Sequence, residues 1–281
     1  DIADILRAAA ELPDTIGSEE GECVECGFMK RYAELLRNMI IEGVDSESDR
    51  LHPLRSMKIA VDAGNGVGGF YAYDVLAPLG ADISGSVYLE PDGNFPNHAP
   101  NPENAEAMDC LSKAVVSSHS DLGVIFDTDV DRAACVGKDG FEINRNRLVA
   151  LASEIALEGC PGGTIVTDSV TSDGLAAFIA AKGGKHLRFK RGYRNVINKQ
   201  LELCAEGVKC PLAMETSGHA AFAENYFLDD GAYLITKLII KAAALSERGL
   251  ALESLIDGLA EPAEERELRF KILCDDFRPV G

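Results

Sequence analysis

Three aspartates at alternate positions, Asp127, Asp129 and Asp131, follow an apolar run at residues 122–126. In an extended chain, side chains at alternate positions point to the same face. Carboxylates this close repel each other unless a cation lies among them, and Mg²⁺ prefers a few carboxylates together with a phosphate oxygen. Arg132 follows directly and adds a planar cation that suits phosphate. The spacing therefore predicts a magnesium and phosphate site at the end of a buried strand.

Two other interpretations of this stretch compete with a magnesium site. An EF-hand loop needs a glycine at its sixth position and a glutamate at its twelfth. The sequence has Arg132 and Lys138 at those positions, which excludes the EF-hand. A solvated acidic turn is the other alternative, but the run 122–126 is apolar enough to be buried.

A second polar loop, Glu215 to His219 with the sequence Glu-Thr-Ser-Gly-His, follows the apolar run 212–214. Ligand-binding loops of α/β sheets lie at the carboxyl ends of strands. A glutamate accepts hydrogen bonds from the two hydroxyls of a vicinal diol, and a serine both donates and accepts. The loop therefore predicts a site for a polyhydroxylated ligand, with an ordinary polar loop as the alternative.

A basic cluster, Lys190, Arg191 and Arg194, follows the predicted strand 186–189 in an otherwise acidic protein. Phosphate binding is one interpretation, because guanidinium groups form paired hydrogen bonds with phosphate. A solvated face, or ion pairs with the excess of acidic residues, is the other interpretation.

The glycines at 64, 66 and 69 match the dinucleotide-binding pattern G-x-G-x-x-G between a strand and a helix. Asp62 stands directly before them, where its carboxylate would face a pyrophosphate. We therefore favour a tight strand-to-helix turn with positive φ, in which Asp62 or Asn65 bonds backbone donors. The stretch 117–120 places serines beside His119, but adjacent residues do not form a triad, and we interpret it as a helix end.

The eight cysteines are scattered, and Cys23 and Cys26 form the only close pair. A structural zinc site needs a second pair or nearby histidines. We therefore expect structural or free thiols in a reducing compartment, with metal or redox use of Cys23 and Cys26 as the alternative.

The net charge of −19 argues against nucleic-acid or anionic-membrane partners. No apolar run approaches the length of a membrane span, and the chain is 46% hydrophobic, enough for sizeable cores. We expect a soluble protein of the cytoplasm or an organelle stroma. Because the sequence starts at Asp1 and not at Met, we also expect that residues precede it.

The elements that would position these loops alternate between strand and helix in both halves, which predicts an α/β fold with two parallel or mixed sheets. Predicted strands cover 57–61, 83–89, 122–126, 133–136, 141–143, 164–168, 186–189, 212–214 and 268–273. Predicted helices cover 1–12, 28–41, the stretch after the glycines to about 79, 102–118 with Asn101 as N-cap, 145–158, 172–182, 195–205, 231–247 and 251–259.

Together these stretches resemble one family, the α-D-phosphohexomutases, which comprises phosphoglucomutases and phosphomannomutases. The matching stretches occur in family order over residues 28–275 and are Val61–Gly66, Pro91–Pro96, Asn101–Glu103, Asp127–Arg132, the loop at Gly192, and Glu215–His219. The sequence departs from the family at Thr128 and Val130, where small or turn-forming residues are commoner.

The resemblance implies a domain organisation of the phosphohexomutase type. Residues 1–27 would be a residual upstream segment, 28–143 domain 2 with the metal loop, 144–262 domain 3 with the sugar loop, and 263–281 a linker into domain 4. The family's phosphoserine motif, Thr-x-Ser-His-Asn-Pro, and its C-terminal phosphate loop have no match within the 281 residues. The resemblance therefore makes domains 1 and 4 the expected partners of this chain.

The resemblance also implies an activity, the interconversion of hexose 1-phosphate and hexose 6-phosphate with Mg²⁺ as cofactor and a hexose 1,6-bisphosphate as activator. Arg132 would stabilise the transferred group, and Mg²⁺ would bind Asp127, Asp129 and Asp131. The substrate-binding residues would be Arg191, Gly192, Tyr193, Arg194, Glu215, Ser217 and His219. The 281-residue chain alone is expected to be inactive. The alternative is an inactive fragment or paralogue that serves as a structural or interaction subunit.

Overall fold

The computed structural model describes residues 2–12, 21–264 and 266. The α-helices are α1 (Ile2–Glu11), α2 (Phe28–Val44), α3 (Ala105–Ser118), α4 (Arg145–Gly159), α5 (Asp173–Ala181), α6 (Tyr193–Ala205) and α7 (Gly231–Ser246). The strands are β1 (Ile59–Asp62), β2 (Leu122–Phe126), β3 (Ala133–Gly137), β4 (Glu142–Ile143), β5 (Thr164–Thr167), β6 (Lys185–Arg188), β7 (Leu212–Met214) and β8 (Ala220–Phe222). Within these ranges no helix is both long enough and apolar enough to cross a membrane.

The strands form two four-stranded mixed sheets, one in each half of the chain. In the first sheet, β1 and β2 are parallel, and β3 and β4 continue the sheet as an antiparallel hairpin. In the second sheet, β5 lies parallel to both β6 and β7, and β8 is antiparallel to β7. The strands before the two predicted site loops, β2 and β7, are buried along their whole length. The predicted α/β fold with two mixed sheets is confirmed.

A shared apolar core holds the two sheets together, because α2 of the first half packs along α7 of the second. A Cβ atom on Gly43 would lie 2.8 Å from Cδ1 of Ile240, so the two helices approach closely there. The Tyr32 hydroxyl donates to Asp230 at 2.6 Å. In the core, the hydroxyls of Tyr71 and Thr236 share a hydrogen bond of 2.8 Å. These contacts fix the position of one site loop relative to the other.

The predicted strand 83–89 is wrong. The segment pairs with β1 through one single bridge, Asp62 with Val87, and a second bridge joins Lys58 and Asp82, the residues just before β1 and before the segment. The Ser86 hydroxyl accepts the N–H of Val61 at 3.0 Å. A side chain therefore takes a ladder position that a backbone carbonyl would fill in a strand.

The predicted N-cap of the helix 102–118 is also wrong. The helix starts at Ala105, and the Asn104 side chain caps it by accepting two backbone N–H groups. Asn101, the predicted cap, accepts the N–H of Glu103 at 2.9 Å and a guanidinium N–H of Arg132 at 3.2 Å. Asn101 therefore belongs to the aspartate loop and not to α3.

Smaller differences concern short elements. The helix predicted after the glycines is a π turn at Tyr71–Leu76 followed by a 3₁₀ turn at Ala77–Leu79. The helix predicted at 251–259 is a 3₁₀ helix at Leu252–Ile256. The three-residue strand β8 was not predicted, and the predicted strand 268–273 lies outside the described residues.

The glycine turn is packed against the protein's own backbone. The Asp62 carboxylate accepts the N–H of Gly64 at 2.8 Å, and Gly64 has a φ of 51°. A Cβ on Gly66 would lie 2.7 Å from the carbonyl oxygen of Thr128, and one on Gly69 would overlap the carbonyl of Leu89. The predicted tight turn is confirmed, and the dinucleotide interpretation fails because the space beside the glycines is filled.

We expect Gly69→Ala to lower the free energy of unfolding by about 1–3 kcal/mol, because the new methyl group collides with a backbone carbonyl that cannot rotate away. The matched control is Gly159→Ala at the end of α4, where a Cβ meets nothing within 4 Å and alanine favours the helix. Urea unfolding of both variants measures the difference. Equal stability of the two variants would contradict the packed glycine turn.

Candidate active site

The aspartate loop is organised around the buried carboxylate of Asp127, which directly follows β2. One carboxylate oxygen accepts the N–H groups of Val130 at 3.0 Å and Arg132 at 3.2 Å, and the other accepts Nε of Arg132 at 2.9 Å. Burial raises the pKa of Asp127, and the neighbouring Asp131 raises it further, while the Arg132 donors oppose this. The loop thus closes on its own first carboxylate.

The three loop carboxylates lie close enough to share one cation. Asp127, Asp129 and Asp131 each offer an oxygen, and these oxygens lie within 4.8 Å of one another. Asp129 is exposed and Asp131 half-buried, so a ligand can approach from the solvent side. A donor set made only of carboxylate oxygens fits a hard divalent cation. The predicted alternation therefore produces a cluster that could hold a metal.

Arg132 is fixed in place by two anchors. Its Nε donates to Asp127, and one terminal nitrogen donates to Asn101 at 3.2 Å. Within the described chain, its other terminal nitrogen has no hydrogen-bond partner. Sequence analysis did not identify Asn101 as a site residue, because an Asn-Pro pair before a helix is also typical of a cap.

The second loop presents Glu215 and Ser217 side by side at the end of β7. Glu215 is 4% exposed, and one of its oxygens accepts the N–H of Gly192 at 2.5 Å. The Ser217 hydroxyl donates to the other oxygen at 3.4 Å. Burial raises the pKa of Glu215, and the hydrogen bond from Gly192 only partly offsets that effect. Gly192 therefore contributes by orienting Glu215 through its backbone.

The two loops meet through their backbones. Arg132 and His219 form an antiparallel bridge, and a Cβ on Gly218 would lie 2.6 Å from the carbonyl oxygen of Ala133. The N–H of Gly231, the first residue of α7, donates to the carbonyl of Val130 at 3.0 Å. The residues predicted to bind metal and those predicted to bind sugar therefore belong to one site.

His219 links the loops through its side chain. Its Nδ1 lies 2.7 Å from a carboxylate oxygen of Asp229 and 3.7 Å from one of Asp131. The ring stacks on Tyr193 with a centroid distance of 5.0 Å. Burial lowers the pKa of His219, but Asp229 and Asp131 outweigh it, so the pKa lies above the ordinary value. The two aspartates thus favour the cationic form of His219 beside the aspartate cluster.

The structure divides the basic cluster. Arg191 pairs with Glu103 of the first half at 3.2 Å, across the cleft. Lys190 lies over the ring of Phe189 at 5.8 Å. Arg194 is exposed on the first turn of α6 and has no ion pair within the described residues. Arg191 and Tyr193 therefore face the site, whereas no contact ties Arg194 to it.

Sequence analysis missed Asp168, which directly follows β5. Asp168 is fully buried and accepts a hydrogen bond from the Thr216 hydroxyl at 2.9 Å, so it holds the second loop in position. Burial raises its pKa. The sequence contained a signal, because Asp168 directly follows an apolar strand as Asp127 does. Unlike Asp127, however, Asp168 has no neighbouring carboxylate in the sequence.

A cavity of about 860 Å³ opens between the two halves, with Asn101, Arg191 and Thr216 in its lining. That size suits a small polar substrate. A second cavity of about 820 Å³ is lined by α2, α4, α7 and β8, mostly with apolar side chains. Its lining includes none of the loop residues discussed above, whereas the first cavity adjoins the site through Asn101, Arg191 and Thr216.

Comparisons with known proteins agree with this architecture. Residues 30–140 match the model for "Phosphoglucomutase/phosphomannomutase, alpha/beta/alpha domain II", and residues 144–262 match that for domain III. The chain is 33% identical to a phosphomannomutase/phosphoglucomutase of Pseudomonas aeruginosa, over 83% of this chain and 47% of that protein. It is also 33% identical to a phosphoglucomutase of Neisseria gonorrhoeae, over 74% of this chain and 44% of that protein.

A solved structure shows the same fold. A phosphoglucomutase/phosphomannomutase family protein from Burkholderia thailandensis superposes with a TM-score of 0.65 and 31% identity, over 82% of this chain and 46% of that one. The chain belongs to the phosphoglucomutase/phosphomannomutase family, and its relatives are phosphohexomutases. It spans about half the length of the curated relatives it matches.

We expect Glu215→Gln to stabilise the folded chain above the raised pKa of Glu215, because the wild type must then bury an ionised carboxylate. The gain should shrink as pH falls and vanish below about pH 4.3, where Glu215 is protonated in both the folded and the unfolded state. Chemical denaturation across pH measures this.

The control for this experiment is Glu206→Gln at the exposed end of α6, which should leave the stability profile unchanged. A stability deficit of Glu215→Gln that grows as pH rises would show that the ionised carboxylate is the better-accommodated form.

Proposed function

We propose that this chain supplies the metal-binding and sugar-binding halves of a phosphohexomutase, an intramolecular phosphotransferase that interconverts hexose 1-phosphate and hexose 6-phosphate. The observation that carries the proposal is the backbone bridge between Arg132 and His219, which joins the carboxylate cluster to the Glu215 loop. A phosphoryl group held at the first loop thereby lies beside a sugar held at the second. Family membership supports the same reaction.

Asp127, Asp129 and Asp131 are the residues that would hold Mg²⁺. When bound, Mg²⁺ draws charge from the oxygens of the transferring phosphoryl group. Arg132 directs its free terminal nitrogen toward the same group and stabilises the charge that develops there. The anchors on Asp127 and Asn101 fix the guanidinium in advance, so that no reorganisation is needed during transfer.

Glu215 accepts hydrogen bonds from sugar hydroxyls, and Ser217 both donates hydrogen bonds to them and accepts hydrogen bonds from them. Phosphoryl transfer at both ends of a hexose requires the sugar to turn over within the site. Vicinal hydroxyls are pseudo-symmetric under this rotation, so the same pair of side chains serves both orientations. Gly192 holds Glu215 through its backbone N–H, and Asp168 holds the loop through Thr216. Arg191 offers a cation to the substrate phosphate at the mouth of the cleft.

We expect isothermal titration of the 281-residue chain with Mg²⁺ to show one weak site, which Asp129→Asn abolishes by removing the exposed carboxylate of the cluster. Asp139→Asn, in the exposed turn of the β3–β4 hairpin, is the matched control and should bind as the wild type does. Unaltered binding by Asp129→Asn would overturn the metal assignment.

We expect the 281-residue chain alone to show no mutase turnover, since no serine in it lies in the family's phosphoserine motif. The coupled assay uses glucose 1-phosphate, Mg²⁺ and a trace of hexose 1,6-bisphosphate. A chain extended by domains 1 and 4 should be active. Turnover by the short chain would place a nucleophile within it, and an inactive extended chain would favour a structural or interaction subunit.

In the extended, active protein, Glu215→Ala should lower kcat/KM by about 5- to 150-fold, the equivalent of roughly 1–3 kcal/mol for sugar hydroxyls left without a partner. Glu206→Ala is the control. Wild-type kcat/KM in the Glu215→Ala protein would remove Glu215 from substrate binding.

A further inference from the structure

A cluster of three different metal-ligating side chains lies outside the site described above. Asp62 ends β1, His98 belongs to the loop before α3, and Cys110 lies on α3. One ligand atom from each lies within 4.8 Å of the others. Asp62 and His98 are buried and Cys110 is half-buried, so the cluster lies in the interior and not on the surface.

The pairing of Asp62 with His98 favours a cation in this part of the interior. Nε2 of His98 lies 3.0 Å from both carboxylate oxygens of Asp62, and Nδ1 lies 3.0 Å from the carbonyl oxygen of Ala99. An ionised carboxylate and a carbonyl only accept hydrogen bonds. Both contacts are hydrogen bonds only when both ring nitrogens carry protons, so this geometry favours the imidazolium form of His98.

This arrangement excludes a catalytic cysteine. A base for the Cys110 thiol would need a free ring nitrogen on His98, and both nitrogens are engaged elsewhere. Burial raises the pKa of Cys110, and its sulfur instead lies 3.7 Å from the Tyr88 hydroxyl. The thiol therefore stays protonated and is not an activated nucleophile.

We propose that Asp62, His98 and Cys110 bind a divalent cation of the zinc type, at a centre separate from the aspartate loop. The donor set is one oxygen, one nitrogen and one sulfur, which suits Zn²⁺ and not Mg²⁺. The Asp62–His98 spacing of 3.0 Å is close to the roughly 3.3 Å between oxygen and nitrogen ligands of tetrahedral zinc. Closure around the ion needs a shift of the Cys110 sulfur of up to about 1.3 Å.

The replacement of two protons by Zn²⁺ leaves the net charge of the buried site unchanged. Without the metal, the site holds a carboxylate, an imidazolium and a neutral thiol, with no net charge. Zn²⁺ replaces the Nε2 proton of His98 and the thiol proton of Cys110, and both protons pass to solvent. The occupied site then holds Zn²⁺, two anionic ligands and a neutral imidazole, again with no net charge. Binding therefore carries no cost for burying a net charge.

A cation bound at Asp62, His98 and Cys110 would also affect the aspartate loop. Asp62 pairs with Ile125 of β2, and its carboxylate holds the turn at Gly64. In that turn Gly66 packs on the backbone of Thr128, within the aspartate loop. A cation at Asp62 therefore braces the turn behind the loop, and this conclusion holds whether or not the protein is a mutase.

The test uses Co²⁺ as a probe in the 281-residue chain. Mg²⁺ at saturating concentration blocks the aspartate loop, and Cys23→Ser with Cys26→Ser removes the thiols that are exposed among the described residues. We expect one equivalent of Co²⁺ to produce thiolate-to-cobalt charge-transfer absorption in the near ultraviolet, and Zn²⁺ to displace it. Absence of this absorption in a folded chain would overturn the proposal.

Cys110→Ser should abolish the absorption, and Cys110→Ala repeats the test if the serine variant unfolds. Cys204→Ser, another half-buried thiol, is the matched control and should keep the absorption. Zn²⁺ should raise the unfolding temperature of the parent chain more than that of the Cys110 variants. Absorption that persists in a folded Cys110 variant would place the metal elsewhere.

Proton release gives an independent readout. Near pH 6.5, Zn²⁺ should release about two protons per ion from the parent chain and about one from Cys110→Ala. The other titratable groups whose fields reach the cluster, Tyr88, Glu106, Asp109 and Lys113, are common to both proteins and cancel in the comparison. Equal proton release from both proteins would exclude Cys110 as a ligand.

Discussion

The buried carboxylate of Asp127 is the constraint around which the rest of the site is built. A carboxylate at the end of a fully buried strand must find donors, and the loop supplies them from Val130 and Arg132. To deliver its N–H, Val130 adopts a φ of 71°, which costs a β-branched residue on the order of 1–3 kcal/mol. The carbonyl of Val130 then accepts the N–H of Gly231, so the strained turn also anchors the first residue of α7.

Stability and function oppose each other at this site. Burial raises the pKa of Asp127, Asp168 and Glu215, so each carboxylate is held where its charge is disfavoured. A cation among the aspartates would relieve the repulsion, and hydroxyl groups on Glu215 would supply the missing hydrogen bonds. The contact between α2 and α7 provides the rigidity that keeps these unfavourable groups in place.

Much of this arrangement could be predicted from the sequence, because each site loop follows an apolar strand and carries a distinctive run of polar residues. The family resemblance placed small or turn-forming residues at positions 128 and 130, and of these two Val130 has a positive φ. What failed depended on tertiary contacts. The Ser86 hydroxyl replaces a ladder bond and prevents a strand, and Asn101 leaves the helix cap because Arg132 needs an acceptor. Neither of these two tertiary contacts can be predicted from the local spacing of residues in the sequence.

The central claim is that Asp127, Asp129 and Asp131 hold the metal while Glu215 and Ser217 hold the sugar. Asp131 is shared with a second candidate group, which consists of Asp131, His219 and Asp229, so the two arrangements need to be separated. Anomalous diffraction from crystals grown with Mn²⁺ and glucose 1-phosphate separates them directly. The account predicts one strong peak among the three aspartates, with sugar hydroxyls on Glu215 and Ser217. A peak between His219 and Asp229, or a sugar bound away from Glu215, would contradict it.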